Sequence, residues 1–420
     1  MTTINGLRYY EIDFNANGAL NTVTGNGDGG LRAAVAAGGI SDLFVLSHGW
    51  NSGVNSARDL YRAMFGLLAN QLGVHRSTSA AASIFWPSLL FPEDDPATAP
   101  QAPSTGLQLA AALAPAFPDK KWQLETLGSL LDEKPQEVKK LIEFHSLAAE
   151  LVTTVPQGSE DSGESAFLTA DTVTALGQAA AMALPPVTKV EESGGPFAGL
   201  WSGARELLRT LSYYEMKNRA GVVGKNGLGP LLASLAGPPR IHLLGHSFGA
   251  RLVAYALAGV PERFTGSASP IKSVTLIQGA FSHFTFASPL PIDAGRSGEL
   301  ADRGVCVDGP LLATFSGADR ALGWWYPAAS MLARQDSRLA SELVYRWGAM
   351  GHDGYQQSPT PIIMPLAAMG QPYDFARGRF YSLDSNAVIK ARQSEFGGAH
   401  SDIRHAEVVW AVISAADLTR

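Results

Sequence analysis

The residues able to do chemistry gather in a few short stretches, and the most demanding is Gly245-His246-Ser247-Phe248-Gly249. It is entered from an apolar run at 241–244 and left through a helical run at 250–258, which reads as strand, sharp turn and helix. Such a turn strains the serine backbone and leaves the hydroxyl standing clear at the edge of a sheet. Glycine is needed at 245 and 249 because a Cβ there would collide with the neighbouring strand or helix. The helix that follows aims its N-terminal amides at a developing negative charge. The chemistry this predicts is nucleophilic attack by Ser247 on a carbonyl. A glycine-rich turn with a capping serine is the plainer alternative, and it leaves the agreement of strand, turn and helix unexplained.

A serine hydroxyl is a poor nucleophile until a base takes its proton and a third group orients that base. On a turn of this kind the parts follow in the order nucleophile, acid, histidine. His400 lies in a glycine-flanked loop, Gly397-Gly398-Ala399-His400, between the last expected strand and the last expected helix. Such a loop suits a base that serves both nucleophile and leaving group. Asp319, in Ser316-Gly317-Ala318-Asp319, directly follows a strand and is the expected acid; otherwise it is a loop aspartate making a turn. Asp353 is its nearest rival, while Asp293, Asp302 and Asp308 sit in an irregular stretch. His405 reads as structural, His246 as packing beside the turn, and His283 and His352 lie outside the expected position. An oxyanion needs two backbone amides, expected from Phe248 and from Trp50 after His48-Gly49. His48 then shapes its loop without acid–base work. Trp86, Phe281 and Trp324 follow strand ends and are expected to line an apolar pocket for acyl or aryl esters. Other aromatics in such places will be core.

Strands are expected at 7–14 (an edge strand or the start of a hairpin), 42–47, 82–86, 273–278, 311–316 and 379–383. Helices are expected at 31–37, 58–72 and 405–416. This alternation predicts an α/β fold with a mostly parallel central sheet flanked by helices. The character changes at 88: residues 91–103 are rich in proline and alanine, 157–164 is polar, and helical spacing marks 122–131, 138–152, 169–184 and 197–214. We therefore expect a core from 1–87 and 221–420, with 88–220 a mostly helical lid or cap insertion. The apolar stripes of the insert read first as packing faces and second as a membrane-surface contact.

Two glycine-rich stretches imitate nucleotide-binding motifs and fail. Residues 25–30 fit G-x-G-x-x-G in letters, but no tight strand precedes them and no acid stands about 20 positions on. Residues 221–226 have the wrong glycine spacing for a phosphate loop and are expected to be a loop leading into a helix at 228–235. The net charge of −6, with 32 Lys+Arg scattered along the chain, argues against a nucleic-acid partner. Cys306 stands alone, which excludes an intramolecular disulfide and a cysteine metal site, and it is expected to be packed. No cofactor or metal is expected. With no signal peptide or spanning segment seen, a cytoplasmic location is expected, export without a cleaved signal staying open.

With these pieces together, the chain resembles the α/β-hydrolase superfamily, through Ser47-His48-Gly49-Trp50, Gly245-His246-Ser247-Phe248-Gly249, Ser316-Gly317-Ala318-Asp319-Arg320 and Gly398-Ala399-His400-Ser401-Asp402. More narrowly it looks like a poorly characterised bacterial branch of it. The resemblance covers most of 40–90 and 240–420, and the insert matches no lid of that family. It implies an esterase- or lipase-like serine hydrolase acting through an acyl-enzyme, with Ser247, Asp319 and His400 as its triad. Alternatives are a thioesterase or acyltransferase with the same triad, a non-catalytic relative that binds through the insert, and a membrane-acting lipase or delivered toxin. Acyl length, leaving group and oligomeric state are not encoded legibly.

Overall fold

The structure is a computed structural model that describes residues 2–22, 27–50, 52–88, 104–153, 158, 160, 170–182, 197–235, 237–322, 345–393 and 397–419. Residues 91–103, Trp324 and most of 157–164 lie outside them. The chain is α/β, built on a nine-stranded sheet of order β1-β2-β4-β3-β5-β6-β7-β9-β8. The strands are β1 (Thr2–Ile4), β2 (Leu7–Asp13), β3 (Asp42–Ser47), β4 (Ser79–Phe85), β5 (Arg240–His246), β6 (Ile271–Ile277), β7 (Leu311–Phe315), β8 (Ile362–Pro365) and β9 (Phe380–Asp384). All neighbours pair parallel except β1 and β2. Those two form a hairpin through Asn5-Gly6, both at positive φ, the conformation a two-residue turn of that hand requires.

Strands β3 and β4 are buried along their whole length, as expected where helices cover both faces. One face carries α2 (Val54–Gln71), whose Leu60, Tyr61, Met64, Phe65 and Leu68 recur at helical spacing, together with the closing helix Ala406–Ala415. The other carries α1 (Leu31–Ala36), α7 (Ala198–Val223) and α9 (Phe248–Gly259). Between β4 and α7 come α3 (Gly106–Leu113), α4 (Lys121–Glu133), α5 (Val138–Ala149) and α6 (Thr172–Met182). Their buried residues belong to the same apolar cluster as that face of the sheet. The buried Arg219 of α7 ties the two regions: it pairs with Glu215 at 3.2 Å and donates to Pro87 O and Ala116 O.

The boundary expected at 220 falls inside a continuous helix. Residues 221–226, expected to form a loop leading into a helix at 228–235, instead carry α7 through one wide turn, Gly224–Leu228, into α8 (Gly229–Ala233). The reason is close approach to α9. A Cβ on Gly224 would lie 2.1 Å from Leu252 O, and one on Gly259 would lie 2.0 Å from Lys225 O. Helix propensity disfavours glycine there, but the crossing demands it. Strand β8 and helix α3 are elements the sequence reading missed. Among the described residues, no helix is long and apolar enough to cross a membrane.

Candidate active site

The serine turn is as strained as its letters suggest. Ser247, between β5 and α9, has φ 58° and ψ −123°, a region costing a non-glycine residue about 1–3 kcal/mol. Three backbone bonds hold it there: Ser247 N donates to Ile277 O, and Ser247 O accepts from Ala250 N and Ala280 N. The flanking glycines are sterically required. A Cβ on Gly245 would sit 2.2 Å from Gly249 O, and one on Gly249 would sit 2.2 Å from Ser47 O. The Phe248 amide, the first of α9, has no acceptor within the helix and lies at its positive end.

The loop after β3 lies directly against Ser247. A Cβ on Gly49 would come within 2.6 Å of Ser247 Cβ and 3.1 Å of its Oγ. Strand order places this contact well. From β3 the chain goes to β4 on one side, while β5 lies on the other, so the ends of β3 and β5 border a topological switch point where ligands of open α/β sheets bind. His48 is buried, its N–H donates to Tyr61 Oη, and its Nδ1 bonds to Gly49 O at 2.9 Å. Burial lowers its pKa to about 4, so the ring is neutral and structural. The Trp86 ring stacks on it at 5.7 Å and donates Nε1–H to His48 O. The Trp50 ring meets Phe248 at 6.1 Å and Tyr213 of α7 at 5.5 Å.

His400 and Asp319 meet as expected. His400 Nδ1 bonds to Asp319 Oδ2 at 2.7 Å; the carboxylate is fully buried and the imidazole is 14% exposed. The two loops are zipped together, Asp319 bridging to Gly398 and Ala399 N donating to Ala318 O. With Nδ1–H given to the carboxylate, the lone pair of His400 stands on Nε2, the tautomer a base needs. From the nucleophile side, His246 Nε2–H donates to His400 O at 2.9 Å, the rings 4.9 Å apart. Burial, then the neighbouring His400 charge, brings the His246 pKa down to about 3. His48 and His246 are thus neutral and engaged with carbonyls, and His400 is the ring bonded to a buried carboxylate beside the serine turn.

The other candidates have separate employment. Asp353, the rival acid, bonds to His283 Nδ1 at 3.1 Å. His405 bonds to Asp402, which also accepts from Lys390 N and Ala391 N, and Cys306 is buried. Of the expected pocket residues, Phe281 is fully buried core, and Trp86 is a buried prop for the His48 loop. The Phe281 ring is used wholly in packing, while Trp86 both packs and borders a cavity. A cavity of about 1050 Å³ reaches His48 and Trp86 and is walled by Glu11, Asp13, Arg58 and Arg219; neither Ser247 nor His400 lines it. The residue missed in the sequence is Gln278, just past β6, which donates Nε2–H to Asp319 Oδ2 at 2.9 Å. Its only signal was a polar residue closing an apolar strand. No family model, curated protein or solved structure matches the chain.

Proposed function

We propose that the protein is a serine hydrolase of α/β-hydrolase type that cleaves carboxylic esters, apolar or lipid-like, by two-step acyl transfer. Ser247 Oγ attacks the carbonyl carbon while its proton passes to His400 Nε2, and Asp319 holds the resulting imidazolium. The oxyanion is received by the Phe248 and Trp50 amides. The intermediate collapses as His400 returns the proton to the leaving oxygen, and water attacks the acyl-enzyme by the same route in reverse. The helical region over 88–220 belongs to this reading as a lid or cap above the site.

The observation that carries the proposal is the conjunction of the strained Ser247 turn with the 2.7 Å Asp319–His400 bond. A capping serine needs no left-handed backbone, and a loop aspartate needs no histidine tied to that turn through His246. The test is intact-mass spectrometry after exposure to a fluorophosphonate. One adduct on the wild type and none on Ser247→Ala is expected, and turnover of a responsive ester should fall by about 10⁴ or more in that variant. Persistent silence of the wild type, with and without detergent to open a lid, would remove the enzymatic reading. Oxyester and acyl-thioester substrates compared on the labelled protein then separate esterase from thioesterase.

A further inference from the structure

Gln278 is fully buried and sits with φ 46°, an unfavourable backbone for a residue with a side chain. Every polar atom of its carboxamide is engaged. Nε2 donates to Asp319 Oδ2 at 2.9 Å and to Gly351 O at 3.1 Å, while Oε1 accepts from Thr314 Oγ1 at 3.0 Å. The Gly351 carbonyl can only accept, so the amide can stand only one way round. The oxygen it holds is the same Oδ2 that receives His400 Nδ1–H, and Leu322 N takes Oδ1 at 3.0 Å. The strand order makes this geometry: β6 lies between β5, which leads to Ser247, and β7, which leads to Asp319. Gly351 is kept small for it, since a Cβ there would lie 2.4 Å from Gln278 C.

We infer that Gln278 is a positioning residue that fixes the Asp319 carboxylate, and through it the His400 ring, for proton transfer from Ser247. The inference rests on the acyl-transfer reading of that couple. A residue that merely fills space would donate nothing to the oxygen shared with the base, and its left-handed backbone would have no purpose. The titratable groups placed against His400 are Asp319 from the β7 side and His246 from the β5 side; the charge of Arg404, in the same loop, bears on His246.

The experiment compares the wild-type chain with Gln278→Leu and Gln278→Glu by time-resolved fluorophosphonate labelling between pH 5 and 9. Melting curves of each variant establish folding. For Gln278→Leu the expected result is an inactivation rate constant lower by about 10- to 100-fold with the probe's binding constant unchanged. In Gln278→Glu, two carboxyl groups share one buried site and do not both ionise. While the introduced carboxyl keeps its proton it donates to Asp319 as the amide did; once ionised it repels. The rate of this variant relative to wild type should therefore be near one at low pH and fall as pH rises. Wild-type rates in Gln278→Leu, or a Gln278→Glu profile parallel to wild type, would overturn the inference. If Gln278→Leu does not fold, the isosteric Gln278→Glu carries the test alone. The low-field proton resonance of His400 Nδ1–H reports on the same contact without any turnover. Should the wild type take no label, a displaced resonance in the variants keeps the positioning contact while the hydrolase reading falls, and an unmoved resonance removes both.

Discussion

Substituting Gly49 by alanine puts the smallest added group against the nucleophile. The new Cβ would stand 2.6 Å from Ser247 Cβ, where carbon atoms in contact lie about 3.5–4.0 Å apart. About 1 Å of movement must come from one side or the other. The loop is poorly able to supply it, with His48 bonded to Tyr61 and stacked on Trp86. The serine turn is no softer, held by Ile277, Ala250 and Ala280. Overpacking of this kind costs about 1–3 kcal/mol of stability. Displacing a reacting atom by about 1 Å costs about 10² in rate, and moving the Trp50 amide out of reach costs 10²–10³. The chemistry should therefore suffer more than the fold: fluorophosphonate labelling slower by about 100-fold, with a melting point lower by only a few degrees. Gly199→Ala is the control, since its Cβ meets nothing within 4 Å and should leave both readings unchanged or slightly raise stability. Wild-type labelling in Gly49→Ala with an unshifted melt would refute the placement of this loop against Ser247.

Asp319→Asn should slow labelling by about 10³–10⁴ through the wrong histidine tautomer, and Asp353→Asn should leave it within a few-fold while loosening the His283 contact. The reverse ranking would move the acid to Asp353. Acid should also destabilise the fold through His48 and His246, and the sign follows from their lowered pKa values of about 4 and about 3. Against an unfolded value of about 6.5, the unfolded chain binds more protons below that pH, so stability is full above it and is lost as pH falls toward 4. At about 1.4 kcal/mol per unit, each ring contributes on the order of 3 kcal/mol to the loss by pH 4. Urea midpoints followed by circular dichroism from pH 7 to 4 should fall steeply, and His246→Asn should flatten the slope; a flat wild-type profile contradicts buried neutral rings.

What was legible in the sequence is what local sterics dictate. A serine forced to φ 58° between two glycines whose Cβ atoms would strike backbone leaves its mark in five consecutive letters. The alternation of apolar runs with helical spacing likewise gave the α/β layering, because each run reports its own burial. Phe281 is fully buried where a pocket wall was expected, because an aromatic at a strand end looks the same whether it faces a pocket or the core, and packing elsewhere decides which. Residues 221–226 were misread as a loop because the partner surface of their glycines, α9, lies later in the chain. Asp319 and Asp353 both follow or adjoin elements near the sheet's carboxyl edge and both end beside a histidine. Only the assembled structure shows which histidine is joined to the serine turn.

That join is where the order of the sheet matters most. Ser247, Gln278 and Asp319 are far apart in sequence, yet they follow β5, β6 and β7, adjacent strands running the same way. Parallel pairing brings their carboxyl ends together, so each strand needs to supply only one polar residue at its exit. The base comes from outside this register, on the loop before the closing helix, and is therefore held twice: by Asp319 at Nδ1 and by His246 at its carbonyl. His246 precedes the serine directly, so a shift of the turn is transmitted to the base loop through one hydrogen bond. The arrangement places rigidity where proton transfer requires alignment. The His400 ring, fixed at Nδ1, is the more exposed member of the couple, which is what acyl transfer through it would require.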